Sequence, residues 1–137
     1  MPVRRVLIVD GDEAERRKLS ALLGELASNE GLKLALREAS DGGEALDVAR
    51  EHEPELVLME ILLEGPHGLQ VMRQLRRDKE KDQPPAVLLI TEMGAEIDRY
   101  WSLRSGAAGF IKKPWQEDEL KERLLRYLGP QAAKKDS

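Results

Sequence analysis

Short apolar runs that alternate with segments of helical spacing restrict this chain more than any other feature. RRVLIVD (4–10), LKLALREA (32–39), ELVLME (55–60) and AVLLIT (86–91) read as strands, with a weaker fifth in AAGFIKK (107–113). Cores such as VLIV, LVLM and VLLI are apolar at every position, as in strands covered on both faces. Between them, Leu19, Leu22, Leu23 and Leu26 recur at i, i+3, i+4 and i+7 and predict a helix from about Glu13 to Ala27. Leu69, Met72 and Leu75 repeat the pattern after Gly68, and Leu120, Leu124 and Leu128 stripe a last helix ended by Gly129-Pro130. Asp12 with Glu15, and Asp41 with Glu44, have the spacing of N-cap and N3 residues. Parallel neighbours need a crossover connection, so the repeated strand–helix order predicts an α/β domain with helices on both faces of a parallel sheet.

With 137 residues the chain is long enough for one such domain, expected over residues 2–129, and the apolar-poor tail 130–137 reads as disordered. Lys+Arg 22 against Asp+Glu 26 gives a net charge of -4, so nothing global draws the chain to nucleic acid or to an acidic membrane surface, although a local basic patch is compatible with it. The absence of cysteine excludes disulfides, thiolate metal sites and a thiol nucleophile. The apolar run near the N-terminus is too short for a signal peptide or a membrane span, which predicts a cytoplasmic protein without membrane insertion.

Ligands of doubly wound sheets gather outside the carboxyl ends of the strands. The first strand delivers Asp10 and Asp12 there, the third Glu60, the fourth Thr91 and the fifth Lys113-Pro114. Each has a bland reading: Asp12 and Thr91 as helix caps, Lys113 as a solvated cation, Glu60 as a carboxylate neutralised by that lysine. A carboxylate at the mouth of an apolar strand is nonetheless costly unless it is paired, solvated or used. One polar residue per strand end predicts a polar site. His52 and His67 read as surface loop residues, neither with a second metal-type ligand at useful spacing.

VLIVDGDE, PELVLMEILLEGPHG, LLITEMG and GAAGFIKKPW, in that order, resemble the motifs of two-component response-regulator receiver domains of the stand-alone chemotaxis and twitching-motility kind. IDRYWSLRSGAAGFIKKPW (97–115) resembles the equivalent part of receivers that serve type IV pilus motility. The resemblance implies a flavodoxin-like five-stranded sheet of order 2-1-3-4-5. It also implies that Asp10 is the first acid of a metal pair, Thr91 the hydroxyl that binds a phosphoryl oxygen, Lys113 the cation that bridges to it, and Phe110 the aromatic switch residue. Leu62 would offer a backbone carbonyl to a metal. Three positions depart from the family pattern: Gly11 replaces the second acid, Glu60 the phosphoacceptor aspartate, and Glu64 a proline usual in the following loop.

The departures bear on chemistry. Phosphoryl transfer depends chiefly on positioning, and the extra methylene of Glu60 moves its carboxylate by roughly 1.5 Å, where about 1 Å can cost on the order of 10²-fold. Mg²⁺ needs near-ideal octahedral geometry, usually from one or two carboxylates and water, and Gly11 removes one. Asp12 is the nearest replacement, but helix capping competes for it. Without metal, Glu60 and Lys113 can satisfy each other with Thr91 in reach, and the long acid imitates a phosphoaspartate with one charge instead of nearly two. The expectation is a pseudo-receiver with no cofactor and no catalysis of its own. The alternative is a working phosphoacceptor that uses Mg²⁺ on Asp10, Asp12 and Leu62, with Glu60 as the acidic acceptor. A flavin carrier is disfavoured, because no Gly/Ser/Thr-rich phosphate loop follows the first strand.

Output is expected through a protein partner in a signalling or motility pathway, or through a second copy of the chain, because no room for a DNA-binding domain follows the fifth strand and its helix. The family's usual output face, helix 4, strand 5 and helix 5, would carry Tyr100, Trp101, Arg104, Trp115 and Arg126, residue types common at interface anchors. Trp101, four residues after Ile97, also reads as ordinary core, whereas Trp115 on a loop after Pro114 is less easily absorbed into one.

Overall fold

In a computed structural model that describes residues 3–77, 84–92 and 106–129, the chain runs β1 (Val3–Val9), α1 (Glu13–Glu30), β2 (Lys33–Ala39), α2 (Gly42–His52), β3 (Leu56–Met59), α3 (Gly68–Arg77), β4 (Ala86–Thr91), β5 (Gly109–Lys112) and α4 (Glu117–Leu128). The helix expected between β4 and β5, with Tyr100, Trp101 and Arg104, lies outside the described residues, as does the tail 130–137. The helix expected fifth is therefore α4.

The five strands form one parallel sheet in the order β2-β1-β3-β4-β5, the expected flavodoxin-like arrangement. Its register pairs Val3 with Lys33, Val6 with Leu56, Leu56 with Ala86 and Leu88 with Gly109. Alternate residues of a strand face opposite sides, so each strand feeds two cores. Val6, Ile8, Leu56, Leu58, Leu88, Ile90 and Ile111 pack against leucines of α1 and α4, while Leu7, Val9, Val57, Met59, Val87 and Leu89 meet α2 and α3. The predicted α1 stripe, Leu19, Leu22, Leu23 and Leu26, is buried.

α1 runs three residues past its predicted end, to Glu30, and stops where Gly31 takes a φ of 66° and returns its N–H to Ala27. That left-handed conformation favours glycine. Asp41 caps α2 by accepting the Glu44 N–H at 2.8 Å. At α1 only half of the expected capping box forms. Asp12 accepts the Ala14 N–H at 2.9 Å, but the Asp12 N–H goes to Asp10, and Glu15 turns away to accept from the Trp115 indole. Among the described residues no helix is long and apolar enough to cross a membrane.

Candidate functional site

The sheet register places the site. The N–H of Asp10 donates to the carbonyl of Ala39, that of Glu60 to Val9, and that of Lys113 to Thr91. Each residue just beyond a strand is thus held by the last carbonyl of its neighbour, which brings Asp10, Glu60, Thr91 and Lys113 together. Asp10, Glu60 and Thr91 are 4%, 5% and 0% exposed, so their polar groups need partners inside the protein.

Lys113 bridges two carboxylates: its Nζ lies 2.6 Å from Asp10 Oδ2 and 3.1 Å from Glu60 Oε1. Glu60 collects further donors. Its Oε2 accepts the N–H groups of Ile61 at 2.6 Å and Leu62 at 3.0 Å, its Oε1 accepts the Glu92 N–H at 3.3 Å, and the Thr91 hydroxyl also bonds this carboxylate. Burial opposes ionisation of Glu60, but the bonds from Thr91, Leu62 and Lys113 outweigh it and hold the carboxyl below its ordinary value of 4.5. Lys113 is the mirror case: burial disfavours its charge, while Asp10 and Glu60 prevail and raise it above 10.5. The result is an oxyanion cradle already filled by a side chain of the protein. Five donors meet one carboxylate, which has about four lone-pair sites, so both of its oxygens are fully engaged.

The remaining expected residues divide. Asp12 does not join the lysine: its exposed carboxylate caps α1, and Asp10 alone of the two acids reaches Lys113. Leu62 is 58% exposed and enters the site through its N–H. Phe110, three residues before Lys113, packs half-buried against the core on the α2–α3 side. Gly11 is exposed, and a Cβ there would meet only the Ser40 carbonyl at 3.5 Å, so packing does not forbid a side chain. Glu64 is exposed, and its carbonyl accepts the Gly42 N–H at 3.1 Å.

Two sequence expectations need correction. Trp115 is half-buried against the core that includes the leucines of α1 and α4, with its indole N–H on Glu15, so that both the ring and its polar edge are accommodated. His52 is the last residue of α2 and half-buried, its Nε2 lying 3.1 Å from the Ala35 carbonyl, so it is not a loop residue. Arg126 is exposed and 3.8 Å from Glu122. The three backbone donors and the second partner of Lys113 were missed, since main-chain N–H groups carry no sequence signature. The resemblance pointed to the Leu62 carbonyl and not to its N–H. Among the described residues no group of three or more His, Cys, Asp or Glu side chains is placed to hold a metal ion.

Known proteins resemble this chain in sequence and in fold. The family described as "Response regulator receiver domain" matches residues 6–125. Protein PilH of Pseudomonas aeruginosa is 38% identical over 116 residues, covering 85% of this chain and 90% of that protein. The phosphate regulon transcriptional regulatory protein PhoB of the same organism is 35% identical over 130 residues, covering 93% of this chain but 54% of its own length, so the chain spans about half of that regulator. The solved chemotaxis response regulator CheY4 of Vibrio cholerae superposes with a TM-score of 0.78 at 22% identity, over 93% of this chain and all of that one, a likeness of fold. A family match from within β1 into α4, with a relative similar over most of both chains, identifies the protein by descent as well as by shape: it belongs to the response regulator receiver domain family and is a signalling module.

Proposed function

We propose that this receiver signals without aspartyl phosphorylation, as a cytoplasmic protein-interaction module in which Glu60 permanently occupies the donors a phosphoryl group would use. One observation carries the reading: the Glu60 carboxylate is held by Thr91 and Lys113, the two groups matched to phosphoryl binding, and by three backbone N–H groups. The residues do not suit Mg²⁺. Gly11 supplies no side-chain ligand, the Asp12 carboxylate caps α1, and those of Asp10 and Glu60 share Lys113. Metal would have to displace an ammonium 2.6 Å from Asp10, so no step is assigned to it. The module has no catalysis of its own and speaks to a protein partner through β5, α4 and the segment that precedes β5. The likeness to Protein PilH fits the pilus-type resemblance of residues 97–115 and favours a motility pathway.

Labelling with acetyl phosphate in Mg²⁺ tests this. The native protein should not label, and Glu60→Asp should label poorly, because the metal is still one carboxylate short. Glu60→Asp with Gly11→Asp should label much better than either single variant, since nucleophile and metal act as a unit, and the space at Gly11 admits the change. Labelling of the native protein would overturn the proposal. Equal labelling of Glu60→Asp and the double variant would show Asp12 serving the metal and restore the phosphoacceptor reading.

A further inference from the structure

A histidine, His67, immediately precedes α3. The His67 N–H donates to Gln70 Oε1 at 3.1 Å, and the Gln70 N–H donates back to His67 Nδ1 at 3.3 Å. This is the reciprocal pattern of a capping box with an imidazole in place of the usual hydroxyl. The common caps, Ser, Thr, Asp and Asn, accept through oxygens that keep their lone pairs near neutral pH. A ring nitrogen accepts only when it carries no proton, so this bond requires the neutral ring with its hydrogen on Nε2. Protonation would turn Nδ1 into a donor facing a donor and would place a positive charge at the positive end of the helix. Both effects release the cap, and histidine is the side chain that changes charge in the physiological range.

The start of α3 is not independent of Glu60. The Gly68 N–H donates to the Ile61 carbonyl at 2.8 Å. A Cβ at Gly68 would lie 2.5 Å from the Glu60 carbonyl oxygen, so the first residue of α3 rests on the backbone that aims the Ile61 and Leu62 N–H groups at the Glu60 carboxylate. The charged groups nearest His67 along its loop and helix are Glu64 and Arg73, and those on the element packed against its loop are Asp41 and Glu44 at the start of α2, which abuts Pro66 through Gly42. Asp41 is taken up by the Glu44 N–H and Glu44 by the Ser40 hydroxyl. None of these carboxylates is paired with His67 among the described residues. His67 is exposed and open to protons.

We propose that His67 is a pH-sensitive cap on α3, closed when its ring is neutral and released when it is protonated, and that release loosens the Ile61 and Leu62 amides that hold Glu60. The second half rests on the reading of Glu60 as a resident anion. Amide hydrogen exchange and chemical shifts of the full chain between pH 8 and 5.5 test it, with His67→Asn as a non-titrating cap and His52→Gln as a control. Exchange of the Gln70 amide, corrected for its intrinsic pH dependence, should rise about five-fold on protonation, the equivalent of one cap. The Ile61 and Leu62 amides should shift with the midpoint of the His67 ring, the Asn variant should stay flat, and His52→Gln should behave as wild type. A titrating His67 ring with an unresponsive Gln70, or the same pH response in His67→Asn, would overturn the cap. A responsive Gln70 with silent Ile61 and Leu62 would overturn the coupling. No phosphodonor enters the readout, so failure of the Glu60 reading in the labelling experiment leaves this one decisive.

Discussion

Removing the Lys113 ammonium exposes the electrostatics of the site most directly. Lys113, Asp10 and Glu60 have side chains 10%, 6% and 5% exposed, so Lys113→Ala leaves two carboxylates facing one gap with little solvent. Breaking a buried pair costs roughly 3–5 kcal/mol. Glu60 keeps Thr91 and the N–H groups of Ile61, Leu62 and Glu92, whereas the Asp10 side chain keeps the N–H of Asp12. The residual donors place the loss near the lower end, about 3 kcal/mol, or about 10 °C in Tm for a domain of this size. The uncompensated charge is mostly that of Asp10. Adding Asp10→Asn to Lys113→Ala should therefore recover more stability than adding Glu60→Gln. Urea unfolding at pH 7, followed by Trp115 fluorescence, measures all three variants. A loss under about 0.5 kcal/mol, the range of an exposed pair, would refute the buried triad. Better recovery with Glu60→Gln would refute the assignment of surplus charge to Asp10.

Glu60 has its folded-state value lowered from 4.5, so its contribution is complete above 4.5 and disappears as pH falls through the lower folded value. The stability gap between wild type and Glu60→Gln in urea titrations should accordingly narrow below that pH. Lys113, raised above 10.5, contributes fully below 10.5 and loses its part as pH climbs through the higher folded value, which alkaline unfolding of Lys113→Met against wild type would detect. Wild-type Trp115 fluorescence should show no saturable response to low-millimolar Mg²⁺, and the double variant at Gly11 and Glu60 should acquire one; a saturable response in wild type would count against a metal-free site. Gly68→Ala should lose about 1–3 kcal/mol by overpacking, because its Cβ would sit 2.5 Å from the Glu60 carbonyl oxygen; an unchanged urea midpoint would mean that α3 can slide off this backbone.

Apolar periodicity made the sheet and the α1 stripe legible, because strands covered on both faces and a one-sided helix leave different spacings. Strand ends made Asp10, Glu60, Thr91 and Lys113 legible as one site, since a parallel sheet brings its carboxyl ends to one edge. What stayed hidden depended on side-chain direction and on main-chain donors. Glu15 has the spacing of a box partner for Asp12, yet the competing indole N–H of Trp115, 100 residues away, takes it. Asp10 was matched to an acid of a metal pair by resemblance alone, and its 2.6 Å contact with Lys113 left no separate trace in the sequence. Trp115 read as less easily absorbed into a core because its loop position gave no sign that the ring packs against the α1 and α4 leucines.

Under the proposed function the Glu60 carboxylate is a ligand attached to its own receptor. A bound group that arrives by reaction has a lifetime set by donors and by hydrolysis, and a reversibly bound one has an occupancy set by its concentration. A ligand carried on the chain has neither: every folded copy holds it from the moment of folding, and no phosphatase can remove it. Apart from the pH response proposed for His67, the variable left to a cell is the number of copies. Under the proposed function the message this receiver carries is therefore its abundance, controlled by synthesis and proteolysis on the timescale of growth rather than by a chemical clock at the end of the sheet.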